Sequence, residues 1–287
     1  MGTSARLVFN VFKLRIGLVI GVTALAGLAV TPGPSLGAAK VLVLLLATIV
    51  SSAAAGAFNQ YVERDLDLKM ARTRARPFVT GSLRHGPAWL WLIGLMTAGS
   101  VGAAAFALNP VSALYVFLGA FFYAVVYTVW LKRRTWWNIV IGGLAGSFAV
   151  LAGSAAVTPA LSPEAIWLAV VLFLWTPPHF WSLAIIHQKD YAAAGVPMLP
   201  VVVGPERCAQ VILASTVLLV TASVVPFFYG MGWIYLAGAV GGGSYFLAKS
   251  VRLAQAPSRA NAGANFGASL VQLSVLLVAA MIDAALA

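Results

Sequence analysis

The sequence predicts an all-α, polytopic membrane protein: nine transmembrane helices around a central cavity open to the cytoplasmic side, forming one domain over residues 1–287. Composition and patterning carry that prediction. Of 287 residues, 61% are hydrophobic and only 9% charged, against about 25% charged in an ordinary soluble domain. Apolar runs of about 20 residues, the length that crosses a bilayer as a helix, recur from end to end. Membrane β-strands would alternate polar and apolar residues, and these runs do not. The 11% of aromatic residues and the scarcity of charge exclude a disordered chain. The lone Cys208 allows neither an internal disulfide nor a cysteine metal cluster.

Each span is bounded by charge or by Gly/Pro punctuation. Residues 14–31 run from Lys13 to Pro32 and Gly33, and residues 41–58 from Lys40 to Asn59. Residues 87–108 lie between Arg84 and Asn109, and residues 111–131 end on Lys132, Arg133 and Arg134. Residues 137–157 stop before Pro159, and residues 165–186 stop at His187. Residues 209–229 follow Arg207, residues 231–248 end at Lys249, and residues 266–282 end at Asp283. The last two are near the short limit for a spanning helix.

Basic residues fix the orientation. With nine spans, 17 of the 18 Lys and Arg, beginning with Arg6, Lys13 and Arg15, fall on one face, and only Lys40 lies opposite. The positive-inside rule makes that face cytoplasmic, with the N-terminus inside and the C-terminus outside. Topology therefore accounts for the net charge of +11, and no nucleic-acid partner is required. The expected location is a bacterial cytoplasmic (inner) membrane; the acid-free N-terminal tail makes the mitochondrial inner membrane the second choice.

Five of the seven acidic residues sit in two loops on the basic face. Asn59, Glu63 and Asp67 are spaced i, i+4, i+8. Each step of four advances about 40° past a full helical turn, so the three share one face. Such a row of oxygen donors suits magnesium, which takes one or two carboxylates plus substrate phosphates. A solvated loop whose acids balance its arginines is the plainer alternative. Asp65 points away and could pair with Arg64 or Lys69. Arg72, Arg74 and Arg76 follow directly, and guanidinium groups bind phosphate oxygens bidentately. The later loop carries Lys189, Asp190 and Tyr191. His179 is the one histidine well inside a span, about 12 Å along the helix from His187 at the rim. An intramembrane ionisable residue is a functional candidate by default; a bond to a neighbouring helix carbonyl, or a part in a Pro177–Pro178 break, is the structural alternative.

These stretches resemble the UbiA-type intramembrane prenyltransferases, whose signature is Asn-x-x-x-acid-x-x-x-Asp after the second helix. More narrowly, NQYVERDLDLKMARTRARP from Asn59, YTVWLKRRTWWNIVIGG from Tyr127, TPPHFWSLAI from Thr176 and KDYAAAGVPMLPVVVG from Lys189 resemble the haem O synthase (protohaem IX farnesyltransferase) branch. Two features depart from the wider pattern. Ala194 stands where other branches carry a second acid, and GSFAVLAG from Gly146 lacks the paired prolines of the haem branch.

The resemblance implies transfer of a farnesyl group from farnesyl diphosphate to a vinyl group of protohaem IX, with water added to give haem O. It implies Mg2+ held by Asn59, Glu63, Asp67 and Asp190, diphosphate bound by Arg72, Arg76 and Lys189, and haem, a substrate, contacted by His179 with His187 as second candidate. Expected partners are the two substrates, the lipid bilayer, and a haem A synthase or terminal oxidase that takes the product. The rival readings are a prenyltransferase for an aromatic acceptor and, from another class, a non-catalytic haem carrier or transporter.

Overall fold

Backbone groups in a bilayer must be satisfied within the segment, which helices achieve. Every regular element among the described residues is helical. The computed structural model describes residues 3–287, with side chains from Leu7; of Arg6, counted above among the basic residues, only the backbone is described.

Among the described residues nine helices form the body: α1 (Leu14–Ala29), α2 (Ala38–Val62), α3 (Ala88–Ala107), α4 (Pro110–Phe121), α5 (Leu144–Val157), α6 (Pro163–Ile186), α7 (Leu199–Val224), α8 (Trp233–Gln255) and α9 (Arg259–Leu286). Helix α4 continues as a π-helix over Phe122–Leu131. Among the described residues seven segments are long and apolar enough to cross a membrane: Ala38–Val62, Ala88–Ala107, Pro110–Leu131, Asn138–Val157, Pro163–Ile186, Leu199–Tyr229 and Arg259–Leu286. The other two expected spans are also helices. Helix α1 is apolar but only 16 residues long. Helix α8 has 23 residues, diluted by Gly238, Gly241, Gly242 and Gly243. The C-terminal span expected to be short is a 28-residue helix.

Local sequence explains the helix ends. Asn109 caps α4 by accepting from Val111 N and Ser112 N, and Ser162 and Ser258 cap α6 and α9. Pro110 and Pro163 occupy first-turn positions where a missing N–H costs nothing. Helix α6 runs through Pro177 and Pro178 where a break is expected; Ser182 Oγ donates to Pro178 O and accepts from Asn265 Nδ2 of α9. Helix α7 does break, at Gly204, whose φ of 83° is open to glycine, followed by Pro205. At the far end of the bundle the Asp283 carboxylate of α9 accepts from Gly232 N, Ile234 N and Tyr235 N, capping α8.

Helices α1 and α5 touch backbone to backbone. A Cβ on Gly153 would stand 1.8 Å from Ala24 O, and one on Gly27 would stand 2.1 Å from Val150 O. Small residues permit such approaches between membrane helices. The outer faces are apolar: Trp91, Leu95 and Phe106 of α3 are 75%, 69% and 95% exposed, which suits lipid rather than water.

Candidate active site

The acid row lies at the end of α2. That helix stops at Val62, Glu63 adopts φ −90° and ψ 14°, and a short helix resumes over Arg64–Lys69. The row therefore spans two helices where one is expected. Its face survives because Glu63 N donates to Asn59 O (3.0 Å) and Asp67 N donates to Glu63 O (2.8 Å), preserving the four-residue rhythm across the junction. Asn59, Glu63 and Asp67 are 3%, 1% and 0% exposed, so the plain solvated-loop alternative is excluded for them. Asp65 does point away. Its partner, however, is Arg133 in a fork at 2.7 Å on both oxygens, neither Arg64 nor Lys69. That hydrogen bond holds the Asp65 carboxyl below the usual carboxylate range.

Each member of the row is engaged by one cation. Lys132 Nζ donates to both Glu63 oxygens at 2.6 and 2.5 Å. Arg76 Nη1 donates to both Asp67 oxygens at 2.8 and 2.7 Å. Lys13 Nζ donates to Asn59 Oδ1 at 2.7 Å and to the Tyr123 hydroxyl at 2.8 Å. The π-helix sets two of these contacts: Lys132 N donates to Tyr127 O at its end, and Thr128 Oγ1 accepts from Asn59 Nδ2 while donating to Tyr123 O. Lys13 is a non-glycine residue with φ 47° and ψ 44°, a conformation costing roughly 1–2 kcal/mol. Burial, reinforced by the Arg76 charge, brings its ammonium down to about 7. Sequence reasoning missed Lys13 and Lys132 because the positive-inside rule already explained them. The signal that could have found them is position: each directly abuts a span, on the face where the polar row of Asn59, Glu63 and Asp67 needs partners.

The second loop closes on the first. In the helix Gln188–Ala193, Asp190 Oδ1 accepts from Ala71 N at 3.2 Å, and Tyr191 OH accepts from Arg72 Nη2 at 3.0 Å. His187 Nδ1 lies 3.7 Å from Asp190 Oδ2, and burial, then the Arg72 charge, lower its pKa. The structure thus brings the two acidic loops together but ties Asp190 to the chain after the row. Among the described residues no three His, Cys, Asp or Glu side chains are close enough to hold one metal ion. Of the three basic residues expected at the diphosphate, Arg76 touches the row, Arg72 is turned to Tyr191, and Lys189 is exposed without a side-chain hydrogen bond among the described residues. Two buried carboxylates and an amide oxygen nonetheless have the donor chemistry of a magnesium site completed by phosphate oxygens.

His179 is buried between aromatic rings, stacked at 4.1 Å on Trp175 and at 4.5 Å on Phe266. Its Nδ1 is 2.7 Å from Ser269 Oγ. The Ser269 hydroxyl donates to Phe266 O, so Ser269 Oγ is left to accept from Nδ1–H. This tautomer leaves the Nε2 lone pair uncommitted.

The structure is a helical membrane bundle with two buried carboxylates beside lysine and arginine at one end. Residues 20–276 match the UbiA prenyltransferase family, and the chain belongs to it. It is similar at 55% identity over 289 residues, covering 100% of both chains, to protoheme IX farnesyltransferase 2 of Paramagnetospirillum magneticum. Protoheme IX farnesyltransferase 1 of the same organism is 48% identical over 96% of each chain. Among solved structures, digeranylgeranylglyceryl phosphate synthase superposes with a TM-score of 0.81 at 15% identity over 98% of both chains. A UbiA homologue from Archaeoglobus fulgidus bound to DMAPP and Mg2+ gives 0.70 at 17% identity, covering 94% of this chain and 98% of that one. These two likenesses show the fold.

Proposed function

We propose that this prenyltransferase moves a farnesyl group from farnesyl diphosphate to a vinyl group of protohaem IX, with addition of water, giving haem O. The observation that carries the reading is full-length identity of 55% to a protoheme IX farnesyltransferase, in a chain whose most buried acids, Glu63 and Asp67, face lysine and arginine. Asn59, Glu63 and Asp67 would hold Mg2+, with Asp190 contributing from the second loop. When bound, the ion neutralises the diphosphate as the carbon–oxygen bond breaks.

The chain's own groups do the rest. Arg76, with Arg72 and Lys189 from the flanking loops, holds the leaving diphosphate through charge-assisted hydrogen bonds; Lys13 and Lys132 join them, being already at the row. The prenyl chain extends into the apolar bundle, whose walls keep water from the allylic cation. His179 would contact the porphyrin, its Nδ1–H fixed on Ser269 and its Nε2 lone pair left for a ligand, with His187 nearer the rim as second contact. The vinyl carbon attacks the allylic cation, and water captures the new cation, losing a proton, to leave a hydroxyl. All nine long helices span the bilayer in this reading, α1 and α8 included, with the N-terminus and both acidic loops on the cytoplasmic face of a bacterial inner membrane. The basic residues crowding those loops support it. Product passes to a haem A synthase or terminal oxidase. A carrier would have no use for the buried acid row.

The test is incubation of purified protein with haem, farnesyl diphosphate and magnesium, followed by mass analysis of the porphyrin. A gain equal to a farnesyl group plus a hydroxyl supports the reading. Unchanged haem, with transfer to an aromatic acceptor instead, overturns it.

A further inference from the structure

In this structure each oxygen-bearing member of the row has its own cation, and the pairing is one to one: Asn59 with Lys13, Glu63 with Lys132, Asp67 with Arg76. The two carboxylates have both oxygens engaged, and both are at most 1% exposed at the side chain. Magnesium gives up its water reluctantly and needs these same lone pairs. With Lys13 protonated, the five charged side chains sum to one positive charge. A divalent ion arriving alone would meet occupied donors and add like charge to a buried site. A diphosphate carries about three negative charges and offers the three cations new acceptors. Together with one divalent ion it would leave the cluster near neutral.

We infer that Lys13, Lys132 and Arg76 are counter-ions that block the metal donors until a diphosphate draws them away, so that the divalent ion and the prenyl diphosphate bind as a pair and neither binds well alone. This rests on the proposed metal–diphosphate role of the row. It assigns to Lys13 and Lys132 a different task in each state: they position Asn59 and Glu63 before substrate arrives and hold phosphate afterwards. Thermodynamic linkage requires each ligand to tighten the other by the same factor.

The experiment measures Mn2+ binding to the purified full chain by electron paramagnetic resonance, alone and with farnesyl thiolodiphosphate, a slowly reacting analogue. Wild type is expected to bind Mn2+ at least tenfold more tightly with the analogue than without it. Lys132→Met should bind Mn2+ alone more tightly than wild type, because Glu63 is released, yet bind the analogue more weakly. Those opposite signs are the signature of a counter-ion, since a merely structural lysine would lose both affinities together. Lys132→Arg, which keeps the charge, should restore the wild-type pattern. Lys13→Met, facing a neutral amide, repeats the test at a site where no buried carboxylate is orphaned, and there too Mn2+ alone should tighten while the analogue weakens. Equal Mn2+ affinity in wild type with and without the analogue would overturn the inference while leaving the metal site standing. No Mn2+ binding under either condition would remove the metal site itself, and the inference with it.

Discussion

Lys132 and Glu63 form a nearly solvent-free ion pair, with the ammonium 2.6 and 2.5 Å from the two carboxylate oxygens and the side chains 6% and 1% exposed. Removing one partner of such a pair leaves an uncompensated buried charge and destabilises by roughly 3–5 kcal/mol. The pair joins the end of α2 to the end of the π-helix that follows α4, so folding and the candidate site depend on the same contact.

Glu63→Gln and Asp67→Asn should each lower turnover at least a hundredfold and reduce thermal stability in detergent, because Lys132 or Arg76 loses its counter-charge. Initial rates and unfolding midpoints check both. Full activity in either variant would remove the row from the chemistry.

Asp65→Asn should be mild in both respects. The Asp65–Arg133 pair is 57% and 41% exposed at the side chain, and exposed pairs contribute about 1 kcal/mol or less. Its contribution has a sign in pH. The folded carboxyl is held below its unfolded value by Arg133, so the stabilisation is present above about pH 4 and fades as pH falls through the folded value. The midpoint difference between wild type and Asp65→Asn should therefore be small at pH 7 and vanish in acid. A difference that grew on acidification would contradict the pairing.

Arg76→Ala should raise the farnesyl diphosphate concentration needed for half-maximal rate by roughly 10- to 100-fold, the equivalent of about 1.5–3 kcal/mol for a charged hydrogen bond. Haem binding, followed by absorbance, should be nearly unchanged. Equal loss of both affinities would mark Arg76 as a structural clamp on Asp67.

Gly153→Ala should be destabilising by roughly 1–3 kcal/mol or more, since its methyl group would land on backbone that cannot move aside. The Gly146→Ala control meets nothing within 4 Å and should be neutral in the same thermal measurement.

Much of this arrangement was legible in the sequence. The apolar runs give the helices because bilayer thickness fixes their length, and the i, i+4, i+8 row gives the buried face because the helical rhythm survives the junction at Glu63. Long-range pairing was not legible. Asp65 finds Arg133 and Glu63 finds Lys132 only because α2 and the π-helix end side by side, and a partner 68 or 69 positions away leaves no local trace. Lys13 was hidden for a different reason: a basic residue at a helix start satisfies the topology rule whether or not it also holds Asn59.

His179→Ala should abolish the haem absorption change seen on adding haem to wild type while leaving farnesyl diphosphate binding intact, since the ring lies among Trp175, Phe266 and Ser269, apart from the acid row. Ser269→Ala should shift the spectrum less, because it frees the ring without removing it. An unchanged spectrum in His179→Ala would leave this histidine a packing residue between α6 and α9.

The most direct measurement is product mass from wild type and Glu63→Gln incubated with haem, farnesyl diphosphate and magnesium in heavy-oxygen water. The expected result is a porphyrin heavier by a farnesyl group and a hydroxyl that carries the heavy isotope, formed by wild type and nearly absent with Glu63→Gln. A product with unlabelled oxygen would contradict capture of the cation by water. Haem recovered unchanged from wild type would contradict farnesyl transfer itself.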